Sequence, residues 1–112
     1  MSYDEELAKR VRRALDGQGM VEERRMFGGL TFMLDGKMCC GVHMGRLMVR
    51  VPPERQLDLL KRPHAKPMDF TGRPMKGFLF IDAAGVSDAK SLNSWLKQAV
   101  TFVQTKSKPR RP

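Results

Sequence analysis

Leu30-Thr31-Phe32-Met33-Leu34-Asp35-Gly36-Lys37-Met38-Cys39-Cys40-Gly41-Val42-His43-Met44-Gly45-Arg46-Leu47-Met48-Val49-Arg50-Val51 is the stretch that decides the fold class. It contains apolar runs at Leu30 to Leu34, Met38 to Met44 and Leu47 to Val51, with Asp35-Gly36 and Gly45 at the breaks. Short runs rich in β-branched, aromatic and thioether side chains read as strands, and Asp-Gly is a strong hairpin signal because both turn residues must accept positive φ. Three antiparallel strands follow. Arg50 alternates with Val49 and Val51, which places it on the more solvated side of the third strand.

Helices are expected on both sides of this meander. Ser2-Tyr3-Asp4-Glu5 has the form of a capping box, and Leu7, Val11, Ala14 and Leu15 recur at helical spacing, so a helix is predicted from Tyr3 to Asp16, ended by Gly17 and Gly19. Pro52-Pro53 closes the third strand and opens a short helix carrying Leu57, Leu59 and Leu60, which stops before Pro63. Residues 64–74 hold prolines and Gly72 without a period and read as an ordered loop with a short extended piece. Phe78-Leu79-Phe80-Ile81 is apolar at every position, the pattern of a strand inside a sheet. Ser87 is the expected N-cap of a last helix whose stripe, Leu92, Trp95, Leu96, Ala99 and Val103, runs to about Gln104. The order α-β-β-β-α-(β)-β-α, with two long helices and one short one grouped about an antiparallel sheet, defines an α+β fold.

The sequence of 112 residues suits one domain, assigned to residues 1–105, followed by a basic tail at 106–112 expected to be disordered. No apolar run approaches the ~20 residues of a membrane span, and the acidic start, Asp4-Glu5-Glu6, is unlike a secretory signal. A cytoplasmic location is expected. Cys39 and Cys40 are the two cysteines. As neighbours in a strand they are expected to face opposite sides, and they offer no disulfide framework. The formal charge of +9 raises nucleic acid as a partner. The tail carries four of the 21 basic residues, and the rest of the surplus lies between Glu22 and Lys76.

Several blocks then point to a family. Arg25-Met26-Phe27-Gly28-Gly29, Asp35-Gly36-Lys37, Leu47 to Val51 and above all Pro67-Met68-Asp69-Phe70-Thr71-Gly72-Arg73-Pro74-Met75-Lys76-Gly77-Phe78, continued to Trp95, resemble the TfoX N-terminal domain family in the right order. The resemblance implies a compact α+β fold similar to type III secretion chaperones and a bacterial module from regulators of natural competence and transcription. Those regulators are longer and add a C-terminal domain with helix-hairpin-helix character. The family-signature residues Phe27, Gly28, Gly29, Met68, Asp69, Phe70, Gly72, Lys76, Gly77, Phe78 and Trp95 are read as structural.

No catalytic, metal or cofactor residue is assigned. Gly28-Gly29 lacks the spacing of a phosphate loop and reads as a bulge or close backbone approach. Cys39 and His43 share a strand face on simple alternation, but no Cys-x-x-Cys spacing accompanies them, and buried structural thiols are expected. Asp69 and Asp82 do not form a recognisable acid/base pair. Arg24, Arg25, Arg50, Lys61, Arg62, Lys66, Arg73 and Lys76, from a wider set that includes Arg46 and Arg55, are the candidates for a basic surface. Nine methionines supply core and, in part, an adaptable contact surface. The expected function is a non-enzymatic regulatory or adaptor module acting through an unidentified protein partner or a second copy of itself. The alternative is sequence-independent nucleic-acid binding through a basic face and tail.

Overall fold

Asp4 starts the first helix. Its Oδ1 accepts hydrogen bonds from the backbone N–H groups of Glu6 (2.9 Å) and Leu7 (3.2 Å), and α1 runs over Glu5–Leu15. The computed structural model describes residues 4–26, 28–67 and 76–107. Ser2 lies outside them, and the capping role predicted for it belongs to Asp4, a side chain of equal capping strength. The helix therefore begins at Glu5 rather than Tyr3 and ends before Asp16.

Six strands form one antiparallel sheet: β1 (Val21–Met26), β2 (Gly29–Leu34), β3 (Lys37–His43), β4 (Arg46–Arg50), β5 (Ala65–Pro67) and β6 (Phe78–Ile81), in the order β1-β2-β3-β4-β6-β5. The meander and β6 lie where the sequence pattern puts them, and β5 is the short extended piece. β1 is an addition. Its sequence, Val-Glu-Glu-Arg-Arg-Met, lacks apolar alternation because the strand is at the sheet edge, where four charged side chains face water. It pairs with β2 without a break, from Val21 opposite Leu34 to Met26 opposite Gly29. Charge on an edge strand also discourages pairing with another sheet.

A β-bulge interrupts the next ladder. Phe32 pairs with Cys40 and Met33 with Met38, which leaves Cys39 as the extra residue of β3. A bulge of this kind turns two successive side chains to the same side. Cys39 and Cys40 accordingly both enter the main core beside Phe32, contrary to the alternation expected of neighbours in a strand. A hydrogen bond to the Cys39 thiol and burial push the Cys40 thiol well above its ordinary value.

All three helices contribute to this same core. Leu7, Ala8, Val11 and Leu15 of α1 join Leu59 of α2 (Gln56–Leu60) and Leu92, Trp95, Leu96, Ala99, Val100 and Val103 of α3 (Ala89–Ser107). They pack on Leu30, Phe32, Leu34, Leu47, Val49, Leu79 and Ile81 of the sheet. Burial of apolar surface by such a layer, at ~25 cal/mol per Å², is the main stabilising term. The cap of α3 is Asp88, whose Oδ1 accepts from the Ser91 N–H at 3.3 Å. Ser87, the predicted cap, instead donates its hydroxyl to the Ala84 carbonyl. α3 continues past Gln104 to Ser107, so Lys106 and Ser107 belong to the helix and not to the tail. Among the described residues no helix is long and apolar enough to cross a membrane.

Candidate protein-contact face

Alternation along the central strands divides the sheet into two sides. Leu47, Val49, Leu79 and Ile81 face the helices, whereas Met48 and Phe80 form a separate cluster with Met38 and Phe78 packed against it. The pairing of Met48 with both Gly41 and Phe80, and of Gly41 with Thr31, runs this second cluster across β2, β3, β4 and β6. Gly41 makes room for it: a Cβ there would lie 2.7 Å from the Met48 methyl and 2.8 Å from the Leu30 carbonyl oxygen. An antiparallel sheet with one solvated side usually presents polar residues there. Here the middle positions are Thr31, Met33, Met38, Met48, Phe78 and Phe80. Met48 and Phe80 are only 3% and 2% exposed, while Met33, Met38 and Phe78 remain half-buried.

Cations frame this strip. The Arg46 guanidinium stands 3.8 Å above the centre of the Phe80 ring, His43 stacks on that ring at 5.8 Å, and Arg46 Nη2 is 2.9 Å from His43 Nδ1. Burial, then the charge of Arg46, lowers the His43 pKa. His43 is therefore neutral near pH 7, and Nδ1 accepts the hydrogen bond that Arg46 donates. Arg50 donates to the Met38 carbonyl at 3.2 Å and lies 5.3 Å over Phe102. Arg24, which pairs with Glu22 at 3.3 Å, and Lys66, opposite Phe80, complete the frame at the two edges. Glu22 is the acid that the strands place on this side among the described residues.

The basic residues singled out from the sequence do not gather into one surface. Arg24 and Lys66 sit on opposite edge strands, five strand spacings or about 24 Å apart. Arg25 is opposite Leu30 and so turns to the helix side. Lys61 is exposed and 3.9 Å from Asp58, Arg62 lies over the Trp95 ring, and Lys76 is exposed in the turn before β6. Arg73 lies outside the described residues, as do Phe27, Met68, Asp69, Phe70 and Gly72. Of the remaining signature positions, Gly28 has φ +74°, and Gly29 shows the predicted close approach, with Val42 O at 2.3 Å from where a Cβ would be. Gly77 has φ +83°, and its N–H donates to Gln56 Oε1 at 2.8 Å. Phe78 joins the second cluster, and Trp95 is a core residue of α3.

The bulge also settles the pairing of Cys39 with His43. Both cysteines face the helices, whereas His43 faces Phe80, so the two residue types sit on opposite sides of the sheet. Among the described residues no three His, Cys, Asp or Glu side chains converge to hold a metal ion. The grouping of His43, Arg46 and Phe80 was not legible in the sequence, because it joins β3, β4 and β6. The apolar outward positions Met48 and Phe80 were its available signal.

No curated protein matches the chain. The crystal structure of Deinococcus radiodurans protein DR2400, which carries a DUF419 domain, is similar in fold: it aligns with a TM-score of 0.71 at 19% identity, over 92% of this chain and 82% of that one. The family model described as TfoX N-terminal domain matches residues 6–103, and the chain belongs to the TfoX N-terminal domain family.

Proposed function

We propose that this chain is a non-enzymatic regulatory module that works by binding another protein through the side of its sheet turned away from α1, α2 and α3. The observation that carries the reading is the row of half-buried Met33, Met38 and Phe78 on that side, underlain by the buried Met48 and Phe80 and framed by Arg24, Arg46, Arg50 and Lys66 against one strand acid among the described residues, Glu22. An apolar centre with a charged rim is the anatomy of a protein interface, and thioethers adapt to a partner's shape. The charge excess selects a partner segment with acidic side chains flanking apolar ones. A second copy would set like charge against like charge, so the partner is a different protein. Family membership supports a regulatory role, and the competence role belongs to this reading as its most specific form.

The test is affinity capture from the native host, with and without nuclease treatment, with three baits: the wild-type chain, a Met33→Asp/Lys66→Glu double variant, and a helix-side control, Arg55→Glu. The proposal expects a defined protein held by wild type and the control and lost by the double variant. Retention by all three baits, or loss on nuclease treatment, refutes it.

A further inference from the structure

A second feature lies on the helix side, away from the face described above. Arg62, His64, Lys90, Ser91, Ser94 and Trp95 line a cavity of about 410 Å³ between the turn after α2 and the first turns of α3. That volume falls in the range of small-molecule pockets. Its wall is built with care. His64 adopts φ +72°, uncommon for a residue other than glycine. The Asp82 N–H donates to its carbonyl at 3.1 Å, and Asp82 Oδ1 lies 3.0 Å from His64 Nδ1 while accepting from the Gly85 N–H at 3.2 Å. Gly85 is packed so closely that a Cβ would be 2.6 Å from that of His64. The ring is thus fixed through Nδ1, leaving Nε2 for another partner. An uncommon backbone conformation held by several contacts beside a cavity is a pointer to function.

The charges around the cavity are unequal in their engagement. Asp82 is taken up by His64 and Gly85, and Asp88 by the Ser91 hydroxyl and amide, which hold its carboxyl below the usual range. Asp88 already caps α3, so the helix end is not what remains to bind. What remains are side chains: Arg62, whose guanidinium is 5.2 Å over Trp95 and has no carboxylate partner among the described residues, the Lys90 ammonium, His64 Nε2 and the Ser94 hydroxyl. A guanidinium, an ammonium and a hydroxyl are donors suited to a tetrahedral oxyanion, and an imidazole nitrogen beside them can accept from its hydroxyl. We propose that this cavity binds a small phosphate monoester, with Arg62 and Lys90 pairing its charge, Ser94 donating a hydrogen bond and His64 Nε2 accepting one from the P–OH of the monoester monoanion. The volume leaves room for an organic group beyond the phosphate.

Trp95 is the one tryptophan of the chain and lines the cavity, so its emission reports occupancy. The full chain is titrated with O-phosphoserine and with inorganic phosphate at constant ionic strength, chloride serving as the blank. Saturable changes with phosphate groups but not chloride are expected, the monoester binding more tightly than the free ion. Lys90→Ala and Arg62→Ala should each raise the half-saturating concentration about tenfold or more, while the melting temperature, followed by circular dichroism, stays unchanged because both side chains are exposed. A response equal to that of chloride, a half-saturation unmoved by both variants, or tighter binding of duplex DNA than of the monoester overturns the proposal.

Discussion

Gly29→Ala tests the sheet geometry directly. The new Cβ would lie 2.3 Å from the Val42 carbonyl oxygen and 3.2 Å from the His43 Cα, both backbone atoms of the neighbouring strand β3. Relief requires β2 and β3 to part by about 1 Å at this point, which disrupts ladder hydrogen bonds worth ~0.5–1.5 kcal/mol each and adds overpacking of ~1–3 kcal/mol. The smaller entropy of the unfolded alanine chain returns ~0.4–1 kcal/mol. The net loss is about 2–3 kcal/mol, or a fall in Tm of roughly 10–20 °C for a domain of this size. Two neighbours calibrate the measurement. Gly28→Ala meets only the His43 ring, at 3.7 Å from Nε2 and 3.9 Å from Cδ2, but must hold φ +74°, so it costs ~1–2 kcal/mol. Gly45→Ala finds nothing within 4 Å and should stay within ~0.5 kcal/mol of wild type. Thermal and urea unfolding followed by circular dichroism should rank the three Gly29, Gly28, Gly45. A Gly29→Ala protein that melts with Gly45→Ala would refute the close approach.

Trp95→Ala removes the largest side chain of the α3 core stripe and should cost ~3–5 kcal/mol, enough that urea unfolding finds the variant partly unfolded at 37 °C; an unchanged midpoint would contradict its burial. Glu23 is held below the usual carboxylate range chiefly by its hydrogen bond to Arg12, whose Nη2 donates to Oε1 at 2.8 Å. That contribution is present above the unfolded carboxylate pKa and is lost as pH falls through the lower folded value. Glu23→Gln should therefore cost less than ~1 kcal/mol at pH 7, given the exposure of the pair, and nothing in strong acid; unfolding midpoints across that range check it. If phosphate neutralisation on DNA competes with protein binding, deleting residues 108–112, with Lys108, Arg110 and Arg111, should weaken duplex binding and its salt dependence without lowering Tm. Tight DNA binding that survives both deletion and high salt would reverse the order of the two readings.

The parts of the fold legible in the sequence are those where burial imposes a period. α1, the three central strands and α3 each carry a stripe or run that the core demands, and they stand within a few residues of the predicted bounds. β1 was illegible because an edge strand with four charged residues needs no apolar alternation; its pairing is dictated by β2. The caps were displaced from Ser2 and Ser87 to Asp4 and Asp88 because serine and aspartate satisfy the same N–H groups and only the local geometry decides between them. The bulge at Cys39 is a property of two strands together, and so is every long-range contact of the contact face. Basic residues could be counted in the sequence, but their dispersal to opposite sheet edges depends on strand order, which no local pattern encodes.

The bulge at Cys39 makes the two adjacent thiols a pair of silent reporters. Both are 0–1% exposed, and the raised Cys40 pKa leaves little thiolate to react. A thiol-reactive dye can reach them only when β2 and β3 separate from the helices. The labelling rate of the native protein is then a stopwatch for that opening, and its dependence on dye concentration distinguishes a fast, reversible breathing of the ladder from slow global unfolding.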